Sequence, residues 1–389
     1  MRILNLKQTE SFPLDSNLSL HRPTWVEINH KNLKENFFQL SRLVSPKVSI
    51  LSVVKANGYG HGLVPVAKSL SECGSSFFGV TSLEEALTLK EAHLNAPILI
   101  LGNIFPNSSL EPAIKNGIRI TVASIESARA CEEMAIKCGL RALVHAKLDT
   151  GMNRIGVNIK NGLDFIQKIL EHPSLKLEGI YTHFSGSAED PKFTKFQIET
   201  FTNFISLLSQ KKIYAPYVHC ANSAALIKYP ESRFSLVRPG ISLYGINPFQ
   251  GEKKLKLKKV LSWKSRIVFL KEAPAKTRIS YLGTFVTKRA SKIATAAFGY
   301  ADGYRRSLSN KGVVLVNGKR VPVIGRVTMD MTMLDVTECP KVHVGDEVVL
   351  IGEQGKETIS VEEMAELCQT SAYEIFCNIA ARVARVDLV

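Results

Sequence analysis

The chain has 389 residues, 45% of them apolar, and carries 50 Lys and Arg against 35 Asp and Glu for a formal charge of +15. That length provides for two domains, or a barrel with a smaller module; no apolar run approaches the roughly 20 residues of a membrane-spanning helix, and the first twenty residues lack a signal-peptide core. Seven cysteines without a C-x-x-C pair argue against a disulfide framework and for a reducing cytoplasm.

Residues 1–22 read as an N-terminal extension, polar and without a hydrophobic period. From there short apolar runs alternate with helical periods. The runs at 48–54, 77–80, 98–101, 118–122, 142–148, 177–182, 217–219 and 235–237 predict eight strands. Helix starts lie between them, such as Ser82 with Glu85 three residues on, and Ser124 before the period over 125–137. Strand and helix alternating eight times predict a (β/α)8 barrel over residues 23–259.

The first run ends in Lys55-Ala56-Asn57-Gly58-Tyr59-Gly60-His61-Gly62. A lysine at the end of a buried strand, entering a glycine-rich loop, is placed to form a Schiff base with an aldehyde, because desolvation favours the neutral amine. Pyridoxal phosphate is the leading candidate, and a solvated lysine before an ordinary turn is the alternative. Chemistry in such barrels gathers at the carboxyl ends of the strands. There the sequence puts Lys55, then His145, Lys147 and Asp149 on one face of the fifth strand, then His183, His219 and Arg238.

Within His219-Cys220-Ala221-Asn222-Ser223 a strand gives way to a helix, whose first N–H groups suit a phosphate; an ordinary N-cap at Asn222 or Ser223 is the competing reading. Arg238-Pro239-Gly240-Ile241 sets a permanent cation beside a glycine that lets backbone approach a ligand. The segment from Lys147 to Gly156 adds a barrel-facing lysine and, between two glycines, Arg154. The densest basic run, Lys253, Lys254, Lys256, Lys258 and Lys259, alternates with leucines and reads as solvated surface rather than a nucleic-acid site.

Over residues 260–389 the texture changes to short β-type runs with an Asn317-Gly318 hairpin signal, a helix near 361–368 and a closing strand, which predicts a C-terminal β-rich domain.

Several motifs in order then carry a resemblance along nearly the whole chain: the lysine loop, Lys147 to Gly156, His219 to Ser223, Arg238-Pro239-Gly240-Ile241, Ser280-Tyr281-Leu282-Gly283, Gly299-Tyr300-Ala301-Asp302-Gly303 and Gly325-Arg326-Val327-Thr328-Met329-Asp330. Together they resemble the alanine racemases, fold-type III pyridoxal-phosphate enzymes. The resemblance implies that pyridoxal 5'-phosphate is bound through Lys55, that Lys55 and Tyr281 of the partner subunit are the two catalytic bases, and that the enzyme is a homodimer with shared sites. It further implies cofactor contacts from Tyr59, His183, His219, Asn222, Ser223, Arg238, Gly240, Ile241 and Tyr373, substrate contacts from Arg154 and Met329, a carbamate on Lys147, and no metal. D-alanine for peptidoglycan, made in the cytoplasm, would be the product. Gly58, Thr328 and Ala384 depart from the common pattern without touching the chemistry. The related fold-type III decarboxylases are the nearest alternative class; they would use a partner-subunit cysteine where Tyr281 stands.

Overall fold

The computed structural model describes residues 22–249, 255–339 and 341–388. Most of the expected extension, and Lys253 and Lys254 of the basic run, lie outside the described residues. Eight strands, Ser49–Val53, Phe77–Val80, Ile98–Ile100, Arg119–Val122, Ala142–Asp149, Leu175–Tyr181, Tyr217–His219 and Leu236–Val237, pair in parallel in chain order, with the last beside the first. Ser235 N–H donates to Val218 O at 3.1 Å and Arg238 N–H to Ala221 O at 2.9 Å. Those bonds draw the eighth strand to the seventh and curl the sheet into the (β/α)8 barrel that the alternation predicts.

Helices cover the outer face, so strands such as Phe77–Val80 are buried on both sides and read as continuous apolar runs. Ser82 caps the helix Leu83–Glu91 by accepting from Glu85 N–H, as the spacing predicts. The Glu85 carboxylate also accepts from Thr81 N–H and from Asn57 N–H, both at 3.1 Å, and so ties the lysine loop to the neighbouring βα unit. Ser124 and Ser127 cap each other at the start of Ile125–Cys138, and Gly139 ends that helix in left-handed backbone.

The β-rich domain is organised on one long strand, Leu261–Ala273, which pairs antiparallel with Thr24–Asn29, Ser291–Ala296 and Glu347–Gln354. Thr24–Asn29 in turn runs parallel to Ala384–Leu388. The strand that opens the described chain, read in the sequence with the barrel, thus takes its hydrogen bonds from the second sheet, where Trp25, Val26 and Ile28 are buried. The hairpin Val313–Val316 to Lys319–Pro322 turns at Asn317 and Gly318, both at positive φ, as its two-residue loop requires.

A buried carboxylate locks these elements together. Asp302, fully buried, accepts from Arg22 Nε at 2.9 Å and Nη2 at 2.6 Å, from Arg382 Nε at 2.8 Å and from Gly299 N–H at 2.9 Å. Arg382 also reaches Asp330 at 2.7 Å. Among the described residues no helix is long and apolar enough to cross a membrane.

Candidate active site

Lys55 leaves the first barrel strand half-buried and enters an unusual turn. Ala56, Asn57, Gly58 and Tyr59 have φ of 52°, 54°, 62° and 52°, a run of left-handed backbone that costs an L-residue about 1–2 kcal/mol each. The bonds that offset this strain are Asn57 N–H to Glu85, from the next βα unit, and Leu63 N–H to Asn57 Oδ1 at 2.9 Å. Where the sequence shows a glycine-rich loop, the structure holds a strained turn, a pattern found at functional sites. Burial, and then the Arg154 charge, lower the pKa of the Lys55 amine, which favours the neutral nucleophile.

The amine faces a cavity of about 400 Å³ at the carboxyl ends of the strands. Lys55, Tyr59, Lys147, Arg154, His183, Asn222, Ser223, Arg238, Gly240, Ile241 and Tyr373 all line it, so the structure gathers at one mouth eleven residues singled out from scattered motifs. Four of them are basic, and no carboxylate is among the described residues that line the space.

Arg238 is buried, and its guanidinium is held through both terminal nitrogens. Nη1 donates to His219 Nδ1 at 2.8 Å; Nη2 donates to Thr182 O at 3.0 Å, Cys220 O at 3.1 Å and His183 Nδ1 at 3.2 Å. None of these four bonds uses Nε. Because arginine cannot accept, both histidines present a bare Nδ1 and carry their proton on Nε2. Burial and then the Arg238 charge hold His183 and His219 well below the ordinary histidine range, which agrees with neutral rings. His219 itself stands behind Arg238, stacked on Tyr181 at 4.6 Å.

The opposite wall is built around Ser223 and Gly240. Ser223 Oγ accepts from Gly240 N–H at 2.9 Å and Ser242 N–H at 3.3 Å, which leaves its own proton to donate. A Cβ on Gly240 would lie 2.6 Å from Tyr59 Oη, so a glycine is required for the two to approach. Asn222 works as an N-cap, accepting from Ala225 N–H at 3.0 Å.

Lys147 is buried with Nζ 4.2 Å from the centre of the Tyr181 ring and no carboxylate partner among the described residues. Burial, with Arg238 and Arg154 nearby, holds its pKa well below the ordinary lysine value. Asp149, on the same strand face, is engaged elsewhere: its Oδ1 accepts from Gly151 and Met152 N–H, shaping the turn that leads to Arg154.

Family models for the alanine racemase N-terminal domain and C-terminal domain match residues 28–248 and 260–387. The chain belongs to the alanine racemase family. An alanine racemase from Halothermothrix orenii is 46% identical over 371 residues, covering 95% of this chain and 98% of its own, and one from Methanococcus maripaludis is 41% identical, covering 94% and 99%. Among solved structures, the alanine racemase of Bacillus anthracis with bound L-Ala-P superposes with a TM-score of 0.90 at 37% identity, covering 96% of each chain. The Clostridium difficile 630 enzyme in complex with cycloserine does so at 0.88 and 33%, covering 95% and 96%. The activity is amino-acid racemisation, that of an alanine racemase.

Two residues expected in a racemase site, Tyr281 and Met329, do not line the cavity of their own chain. They are 69% and 53% exposed on the β-rich domain. Sequence reading missed the buried supports. Gln197, from the helix Pro191–Gln210, accepts from Ser185 N–H at 3.1 Å and donates to Thr150 Oγ at 3.2 Å, buttressing the strand end that bears His183. Tyr181 donates to Leu101 O at 3.1 Å beneath Lys147 and His219. A polar residue, with Thr194, on the inward face of an amphipathic helix was the only signal for Gln197.

Proposed function

We propose that this chain interconverts L- and D-alanine with pyridoxal phosphate held at Lys55, as half of a head-to-tail homodimer in which Lys55 and the partner subunit's Tyr281 act on opposite faces of the substrate. The observation that carries the reading is the cavity: Lys55, Lys147, Arg154 and Arg238 with no lining carboxylate among the described residues suit a phosphate together with a substrate carboxylate. When bound, pyridoxal phosphate would supply the conjugated ring that accepts the electron pair left by the α-proton.

The chain's own residues fit that group. The Ser223 hydroxyl, with its proton free, would donate to the phosphate together with the Tyr59 and Tyr373 hydroxyls and the Ile241 N–H, with Gly240 leaving room for its approach; Asn222 keeps the short helix in place behind them. Arg238, oriented by His219 and flanked by His183, would serve the ring nitrogen and, remaining a cation, would keep that nitrogen unprotonated. Arg154 would take the substrate carboxylate with Met329 of the partner subunit. Lys55, partly buried and with its pKa lowered, would move a proton on one face, and the partner subunit's Tyr281 on the other.

Support for the homodimer comes from the surface. Tyr281, Leu282, Tyr300, Met329 and Met331 are exposed apolar side chains on adjoining loops, joined by Ser280 Oγ to Arg326 O at 2.8 Å, Tyr300 N–H to Thr328 O at 3.0 Å and Ala301 N–H to Met329 O at 3.0 Å. Such a patch marks a protein interface. Support for a carbamate on Lys147 is its burial without a carboxylate partner: a neutral amine that adds carbon dioxide and releases a proton becomes an anion beside Arg238 and Arg154. The product, D-alanine, would feed peptidoglycan synthesis in the cytoplasm.

The test is incubation of the pyridoxal-phosphate-loaded protein with L-alanine in heavy water. Optical rotation decaying to zero as deuterium enters the α-carbon is the expected result, and alanine left untouched would overturn the proposal.

A further inference from the structure

The proton logic at Arg238 extends one residue deeper than the site. His219 carries its proton on Nε2, and that nitrogen lies 3.0 Å from His145 Nδ1. His145 must therefore accept, and its own proton sits on Nε2, a buried atom with no partner among the described residues. His145 does not line the cavity. Its ring is instead stacked on Tyr217 at 5.9 Å, with Phe77 edge-on at 5.9 Å.

The geometry of the contact is peculiar. His145 belongs to the fifth barrel strand and His219 to the seventh, so the bond has to pass the strand between them, Leu175–Tyr181. At the level of His145 that strand carries Gly179, paired with His145 on one side and Tyr217 on the other. A Cβ there would lie 2.2 Å from His145 Nδ1, the atom that accepts from His219. The imidazole occupies the space that a side chain at 179 would fill.

Resting on the pyridoxal-phosphate reading, we propose that His145 is a positioning residue: across the gap left by Gly179 it fixes the proton of His219 on Nε2, so that His219 Nδ1 is always bare toward Arg238 and the guanidinium keeps one orientation under the cofactor ring. Without this acceptor, His219 Nε2–H would be buried and unpaired. The ring would then turn or drift, and Arg238 would lose the partner on Nη1 that sets its plane.

Three variants test this. In His145→Asn the amide oxygen falls near the place of Nδ1 and can still accept; in His145→Leu, of similar shape, nothing accepts; in Gly179→Ala the methyl displaces the imidazole. The first readout needs no cofactor: the ring nitrogen signals of His219 in histidine-labelled, cofactor-free protein. Wild type and His145→Asn should show the proton on Nε2, and the other two a mixture or a shift to Nδ1. The second uses loaded enzyme: pyruvate released from alanine, its amino group left on the cofactor, per racemisation turnover, together with kcat and KM for alanine. A loosened Arg238 should allow ring-nitrogen protonation, so His145→Leu and Gly179→Ala should release about tenfold more pyruvate per turnover, the scale of one lost buried hydrogen bond, with kcat reduced and KM little changed, and His145→Asn should restore both. The proposal is overturned if His145→Leu keeps the wild-type His219 signals and pyruvate ratio, or if a folded His145→Asn behaves like His145→Leu. A wild-type protein that takes up no pyridoxal phosphate would instead sink the cofactor reading, and the ring nitrogen signals would still decide the role of His145.

Discussion

Replacing Asp302 with Asn removes a fully buried charge on which two arginines and a backbone N–H converge. The amide that replaces it offers one acceptor oxygen where two served, and turns an N–H₂ toward arginine donors. Breaking a buried pair by removing one partner costs about 3–5 kcal/mol. The arginine side chains are 31% and 37% exposed, so water recovers part of their charge, and the lower end, about 3 kcal/mol, is the appropriate magnitude. With a urea slope of about 3 kcal/mol/M, the midpoint should fall by about 1 M. The same substitution frees the turn Gly299–Gly303, whose N–H groups hold the carbonyls of Thr328 and Met329, so the KM for alanine should rise as well. Urea unfolding followed by circular dichroism, in a cycle with Arg382→Leu, measures both the loss and the coupling. A midpoint within about 0.2 M of wild type, below about 1 kcal/mol at that slope, would refute the assignment of Asp302 as the clamp between Arg22 and Arg382.

The remaining predictions concern the site and its protons. Gly240→Ala places a methyl 2.6 Å from the Oη of Tyr59, whose ring packs tilted on Tyr244, and overpacking of about 1–3 kcal/mol should weaken pyridoxal-phosphate binding about fivefold or more; an unchanged dissociation constant by fluorescence titration would count against this wall as the phosphate cradle. Burial holds His61 at about 4 and His145 at about 3, against about 6.5 in the unfolded chain. The unfolded chain therefore takes up the extra protons, and stability present above pH 6.5 is lost as pH falls toward the folded values: about 2 kcal/mol from each histidine by pH 5, visible as a falling urea midpoint of cofactor-free protein and contradicted by a flat one. Tyr281→Phe should lose proton removal from L-alanine and Lys55→Ala should lose the covalently held cofactor. Mixed after dissociation and reassociation, the two inactive variants should regain about a quarter of wild-type activity, since half the dimers would carry one intact site; a mixture as dead as its parts would rule out shared sites.

The lining of the cavity was legible because strand ends are. Lys55, His219 and Arg238 each stop a short apolar run, and a barrel converts that linear regularity into convergence at one mouth. The long-range pairings were not legible. Thr24–Asn29 alternates like any edge strand, and its partners, Ser265 through Leu261 and Ala384 through Leu388, lie more than 200 residues away. Asp302 stands in a recognisable motif whose purpose the motif does not disclose, because Arg22 and Arg382 reach it from the two ends of the described chain. The left-handed run at Ala56 to Tyr59 was hidden for a different reason: only Gly58 advertises positive φ, and the energy that holds Ala56 and Asn57 there comes from Glu85, one βα unit later.

A common physical device underlies these hidden elements. The cavity concentrates positive charge, and a protein that assembles Lys55, Lys147, Arg154 and Arg238 with no lining carboxylate among the described residues works against its own electrostatics until an anion arrives. The folded chain limits the cost by keeping His183, His219 and His145 neutral, so that they orient without adding charge, and by lowering the pKa of Lys55 and Lys147. What remains is a site with Arg238 as the one cation fixed by four hydrogen bonds to neutral acceptors. Binding of a phosphate-bearing ligand then relieves repulsion already present in the fold, and the cofactor-free protein should be the less stable form for electrostatic reasons as well as by mass action.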